Sequence, residues 1–256
     1  MKAEKLGAQL YTIRDYLKRP VDIASSLKKV RQIGYQCVQV SGMGPIEDDE
    51  LIRILEGEGL ICCAIHESSN KILNNPQAVV EKLDKLNCKY AAYPYPNGVD
   101  FSSIQSTVAF VQRLDAAGKV LREAGKTLAY HNHSIEFQRI EGKLILELIY
   151  ENSNPENLQA ELDTYWVQHG GANPAEWCRK LKGRLPLLHM KDYVITNGNV
   201  PTFMEVGSGN LNWKDIITAA ENAGCKWYLV EQDDCKGSAF ESLEKSFKYI
   251  TSTLCN

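Results

Sequence analysis

Short apolar runs alternate with longer stretches whose apolar positions recur every three or four residues, and the alternation persists along the whole chain. The short runs cover residues 6–11 (L-G-A-Q-L-Y), 35–40 (Y-Q-C-V-Q-V), 60–65 (L-I-C-C-A-I), 89–93, 128–130, 158–162, 185–190 and 227–230. Their length, their aliphatic and aromatic content and the glycine or polar residues at their ends read as strands. Between them lie helical stretches. In residues 21–33, Val21, Ala24, Leu27, Val30 and Ile33 are spaced by three; in 76–87, Val79, Val80, Leu83 and Leu86 share one face. Further helices are expected over 48–58, 102–123, 143–152, 174 to about 181, 211–223 and 238–254. Gly34, Gly59, Gly125 and Gly224 stop helices, and Pro174 sits where the first helical position would be.

Eight strand-helix cycles with no linker between them argue for a parallel sheet. At 256 residues they argue further for closure into a (β/α)8 TIM barrel, one domain spanning residues 1–256, because such barrels use about 250 residues. A doubly wound open sheet would want a glycine-rich phosphate loop after its first strand, and Q-L-Y-T-I-R has none.

Composition narrows the function. A formal charge of -3, with basic residues scattered, lacks the footprint of a nucleic-acid binder. The eight cysteines form no C-x-x-C pair, so buried reduced thiols are expected rather than a zinc site or disulfide framework. The start, M-K-A-E-K-L-G, lacks the apolar core of a signal peptide, and no run approaches the roughly 18 apolar residues of a membrane span. A cytoplasmic protein with no membrane partner is the expectation.

In a parallel barrel, chemistry sits at the C-terminal strand ends. Here the fifth strand runs into His131, Asn132, His133 and Glu136, the sixth ends at Asp163, the seventh carries His189 with Lys191 and Asp192 beyond it, and the eighth is followed by Glu231. Carboxylates with one or two imidazoles suit Mn²⁺, Mg²⁺, Co²⁺ or Zn²⁺. Taken singly, each has a bland reading: Asp163 as a helix cap, His189 as a satisfied core residue, Glu231 in an ion pair with Lys191 or Lys226, His133 as a turn cap. Their coincidence at successive strand ends points to one divalent metal ion. Gln9, Tyr11, His66, His131, Trp166, Lys191 and Asp192 are the candidates for contact with a substrate, and Trp166 could stack on a sugar face from a loop.

These segments resemble the sugar phosphate isomerase/epimerase family of xylose isomerase-like TIM barrels. The resemblance runs through L-G-A-Q-L-Y-T-I-R-D, Y-H-N-H-S-I-E-F, L-D-T-Y-W, H-M-K-D, E-V-G-S-G-N-L-N-W and V-E-Q-D, in the expected order. It implies a single divalent metal, with Asp163, His189 and Glu231 in the places of the sixth-, seventh- and eighth-strand ligands. Relatives place a Glu on or just after the fifth strand. Glu136 is the nearest here and is assigned as fourth ligand, with His131 and His133 as the other candidates.

The implied reaction is proton abstraction next to a metal-bound sugar carbonyl, through an enediolate. A metal-bound carboxylate is a poor base, whereas a neutral imidazole near pKa 6.5 accepts a proton at neutral pH. His133 is therefore assigned as base, with Glu231 as the other candidate and Lys191 steadying the oxyanion. The substrate is expected to be a small sugar or sugar phosphate, and a homo-oligomer is compatible with everything read here. The same groups would serve a lyase or hydratase acting on 3-keto sugars or glycosides. An abasic-site endonuclease would need more than five histidines' worth of ligands and a basic face. A barrel that only binds sugars would be expected to have lost a ligand.

Overall fold

The structure is a computed structural model that describes residues 1–255. Eight strands close into a barrel: β1 Leu6–Gln9, β2 Cys37–Val40, β3 Ile61–His66, β4 Tyr90–Tyr93, β5 Thr127–His131, β6 Leu158–Asp163, β7 Leu187–Met190 and β8 Trp227–Val230. Each is hydrogen-bonded in parallel to its neighbours in sequence, and β8 closes on β1 with Leu6 opposite Tyr228 and Ala8 opposite Val230. Helices cover the outside, among them Pro20–Ile33, Asp48–Glu58, Pro76–Lys85, Ile104–Glu123, Trp213–Ala223 and Ala239–Thr253. The barrel expected from the alternation is therefore the one observed.

Side chains alternate across a strand, so each strand sends every second residue into the barrel. The lower interior is apolar and built from small groups: Ala64, Ala92, Ala129 and Leu187 pack with Tyr90 and Trp227, and Cys37 and Cys63 with Leu229. Two residues further along the same strands the interior turns polar, with Gln9, Gln39, His66, His131, Glu161 and His189. The intervening positions, Tyr130 and Leu162 for example, face the helix layer as part of the main core. Gly118 lets the long helix ride directly on Asn157, whose carbonyl a Cβ would strike.

Several short elements were not evident in the pattern. β1 stops at Gln9, whose side chain accepts the Tyr11 N–H at 3.0 Å, and the chain turns into a 3₁₀ helix over Leu10–Tyr16. Tyr11, read as the end of the strand, thus sits on the rim with 39% of its surface exposed. Ser68 caps the helix Ser69–Asn74, and Asp163 caps the helix Thr164–His169, so Trp166 lies on a helix and not in a loop. A hairpin pairs Asp192–Thr196 with Val200–Met204 beyond β7, and a second pairs Arg139–Ile140 with Lys143–Leu144, which delays the next helix to Ile145. All eight cysteines are free thiols. Among the described residues no helix is long and apolar enough to cross a membrane.

Candidate metal centre and pocket

Asp163 is the last residue of β6, and its role as helix cap decides which oxygen is left over. Oδ1 accepts the Trp166 N–H at 2.9 Å, and the Asp163 N–H donates to Asn132 Oδ1 at 3.0 Å. Oδ2 is buried, and its near partner is the Lys191 ammonium. It lies 4.0 Å from His131 Nε2, 3.9 Å from His189 Nδ1 and 3.0 Å from Lys191 Nζ. Glu231 Oε2 is 2.8 Å from His189 Nδ1. One ligand atom from each of His131, Asp163, His189 and Glu231 falls within 4.8 Å of the others. Bonds of about 2.0–2.2 Å to one cation put neighbouring ligand atoms roughly 3–4 Å apart, so the set fits a divalent ion. Its mixed oxygen and nitrogen chemistry fits as well.

Beneath this set lies a carboxylate that the sequence did not single out. Glu161 is wholly buried in the barrel, accepts from Gln39 Nε2 at 2.6 Å and lies 2.5 Å from His66 Nε2, 3.2 Å from His131 Nδ1 and 3.3 Å from His189 Nε2. Burial works to raise it, but His189 and His66 beside it hold it well below the usual carboxylate range. With His66, His131 and His189 it forms a second group of metal-capable side chains. Its signal was parity: on β6 it faces inward like His131 and His189 on the flanking strands.

The charges divide along the same lines. Burial, with His189 next to it, lowers His131 to about 3, which leaves that imidazole neutral. Burial would lower His189 too, but Glu161 and Glu231 outweigh it and raise the ring to about 10. Burial lifts Asp163 to about 6 in spite of Lys191 and His189. Lys191 is buried with its ammonium between Asp163, Glu231 at 2.8 Å and both oxygens of Asp233 at 3.1 Å.

Not every expected residue joins the cluster. Glu136, assigned as fourth ligand, is buried in the layer between barrel and helices, where Oε1 accepts the Tyr130 hydroxyl at 2.7 Å and Oε2 the His133 N–H at 2.8 Å. The cause is local: the 3₁₀ turn Ile135–Phe137 folds the chain back, and Tyr130 points out of the barrel. Asp192, expected to touch substrate, is wholly buried and accepts, among the described residues, from Tyr193, Gly207, Gly209, Leu211 and the Trp213 indole. Gln9 is buried beneath the site on Gln39. Trp166 packs edge-on against Phe203 and Tyr165. Asp163 and Glu231, at 0% and 4% exposed, are inside the protein.

A cavity of about 500 Å³ opens above the cluster, lined by His66, His131, His133, Lys191, Glu231 and Tyr11, and also by Arg14, Tyr95 and Asp233, which the sequence did not single out. His133 stands against Tyr95 and His131, each at 4.9 Å between ring centres, with Nδ1 buried and unpartnered. Burial, then His131 and Lys191, lowers it to about 2.

The family described as xylose isomerase-like TIM barrel matches residues 27–252. In fold the chain is similar to a sugar phosphate isomerase/epimerase from Parabacteroides distasonis, with a TM-score of 0.85 and 24% identity over 99% of this chain and 95% of that one. It is similar also to a xylose isomerase-like TIM barrel protein from Mycobacterium smegmatis in complex with magnesium, with a TM-score of 0.76 and 14% identity over 99% and 98% of the two chains. Among curated proteins, an inosose dehydratase of Bacillus cereus is 25% identical over 150 residues, 52% of this chain and 50% of the relative. The chain thus aligns with only half the length of that curated relative.

Proposed function

We propose that this chain, which belongs to the xylose isomerase-like TIM barrel family, is a metal-dependent isomerase or epimerase of sugars, with His131, Asp163, His189 and Glu231 as ligands of one divalent ion. The observation that carries the reading is the convergence of one donor atom from each of these four buried residues within 4.8 Å of one another, with Lys191 as the cation that Asp163 and Glu231 share. His131 takes the fifth-strand place for which Glu136 was expected, because it faces into the barrel and its ring is neutral, as a ligand must be. His189 has to release its proton to serve. Glu161 sits behind both rings and orients them, as carboxylates do behind ligating imidazoles.

The chemistry such an ion supplies when bound is polarisation of a carbonyl and its adjacent hydroxyl, which makes the neighbouring carbon-bound proton acidic. His133 lines the cavity with a neutral ring and an unpartnered nitrogen and is the group placed to take that proton. Its low pKa means the transfer depends on negative charge developing on the substrate next to it. Lys191 carries a fixed positive charge at the same wall and stabilises an oxyanion there.

A second reading has its own support. Removal of the same proton would expel a leaving group from the next carbon, making the enzyme a lyase or dehydratase. The partial similarity to an inosose dehydratase and the open cavity above the cluster favour it. Two measurements test the function: metal content of the purified protein before and after chelation, and solvent deuterium uptake next to the carbonyl of candidate ketoses. Uptake that disappears on chelation and returns with metal supports the function; product analysis then separates isomerisation from elimination.

A further inference from the structure

We infer that the pocket is built for an uncharged saccharide longer than one ring, with Tyr11 and Tyr95 forming an outer subsite for the part beyond the reacting sugar. The inference rests on the carbohydrate reading above and names its substrate class.

The case against a phosphate ester begins with Asp192. Barrels of this kind commonly hold a phosphate on backbone N–H groups of the loops after the seventh and eighth strands. Here the amides of the loop after β7 are already committed. Gly207 and Gly209 donate to Asp192 Oδ2 at 2.8 and 3.2 Å, Leu211 donates to Oδ1 at 3.3 Å, and the Trp213 indole N–H adds a fourth donor at 2.7 Å. Asp192 is wholly buried, and a Cβ at Gly209 would collide with it, so this anion nest holds an internal carboxylate and has no room for a second anion. The loop after β8 contributes Asp233 and Asp234, which would repel one. Lys191 stands against Asp163 and Glu231 at the reacting end of the cavity, where the reading above gives it to the reacting oxygens and not to a distal phosphate. Arg14 lies 4.4 Å from the centre of the Tyr11 ring and donates to the Tyr11 carbonyl at 3.0 Å, so it supports the rim aromatic.

The case for a longer, neutral ligand is the rest of the rim. Pockets of about 300–1,000 Å³ enclose molecules larger than a single sugar ring, and this one is about 500 Å³. Tyr11 and Tyr95 line it with 39% and 46% of their surface exposed, while Tyr35, Tyr93, Tyr130 and Tyr228 are buried. An exposed aromatic with an apolar face and a polar tip suits the mixed surface of a sugar ring. Exposed apolar groups at the mouth of a cleft commonly mark a ligand groove.

Saturation-transfer NMR on the metal-loaded protein tests this with two sets of probes: glucose, cellobiose and glucose 6-phosphate, then fructose, lactulose and fructose 6-phosphate. In at least one set the disaccharide should bind roughly threefold to tenfold more tightly than its monosaccharide, and the phosphate ester no more tightly. Tyr11→Ala and Tyr95→Ala, with fold and metal content checked, should each narrow the gap between disaccharide and monosaccharide. A phosphate ester that binds tenfold tighter than its parent sugar would overturn the inference and leave the carbohydrate function standing, as would disaccharides that gain nothing in either set. Failure of all six probes to bind would overturn both.

Discussion

Asp163 Oδ2 and His131 Nε2 face each other across 4.0 Å at the top of the barrel. That is too far for a hydrogen bond and suits two ligands of one cation. Their strands are neighbours, with His131 opposite Glu161 in the ladder and Asp163 two residues beyond, so the spacing is set by the backbone. Asp163→Asn keeps a good helix cap and removes the ligand charge. The variant is expected to fold, because Lys191 keeps Glu231 and Asp233 as partners, and to lose stoichiometric metal, read by elemental analysis beside thermal unfolding.

Glu136→Gln should keep the metal, because its carboxylate is bound to Tyr130 and His133 and takes no part in the cluster. It also has a pH signature. Burial raises Glu136 from 4.5 to about 7, although the Tyr130 hydroxyl and the His133 amide oppose this. A carboxyl raised on folding binds more protons folded than unfolded between those values, so its contribution to stability falls as pH rises from about 4.5 to about 7. Denaturant melts at pH 5 and pH 8 should show the parent losing more stability over that interval than Glu136→Gln. Equal losses would mean the carboxyl is not perturbed.

These two residues show what was legible in the sequence. The barrel was, because short apolar runs alternate eight times with stretches of helical spacing, and so was the gathering of Asp163, His189 and Glu231, which stand at successive strand ends. The fourth position was not. Glu136 and His131 lie five residues apart, and only the backward 3₁₀ turn and the inward register of β5 assign their directions. Glu161 was hidden inside a strand that read as apolar. Asp192 stood beside Lys191 in the sequence, yet the glycines that enclose it come from residues 207 and 209, beyond a hairpin that the pattern did not reveal. Tyr95 was an unremarked residue of a loop.

His133→Asn is expected to retain metal and lose turnover by roughly 10²–10⁴-fold, the usual worth of a positioned general base. Deuterium uptake into the accepted ketose, measured beside metal content, checks it. Undiminished uptake would move the base to another side chain of the cavity.

Lys191→Met leaves Asp163, Glu231 and Asp233 facing one another with their shared ammonium removed. Stripping one partner from a buried ion cluster costs about 3–5 kcal/mol. A bound divalent ion would offset part of that loss. The melting temperature of Lys191→Met should therefore rise more on adding Mn²⁺ or Zn²⁺ to chelator-treated protein than that of the parent does. An equal or smaller rise would mean that Lys191 and the ion do not share the same carboxylates.

The most direct measurement is an anomalous-difference map from crystals grown with Mn²⁺ or Zn²⁺. One peak is expected, within about 2.0–2.3 Å of His131, Asp163, His189 and Glu231. A peak held by Glu136, or no peak between β5 and β8, would contradict the assignment.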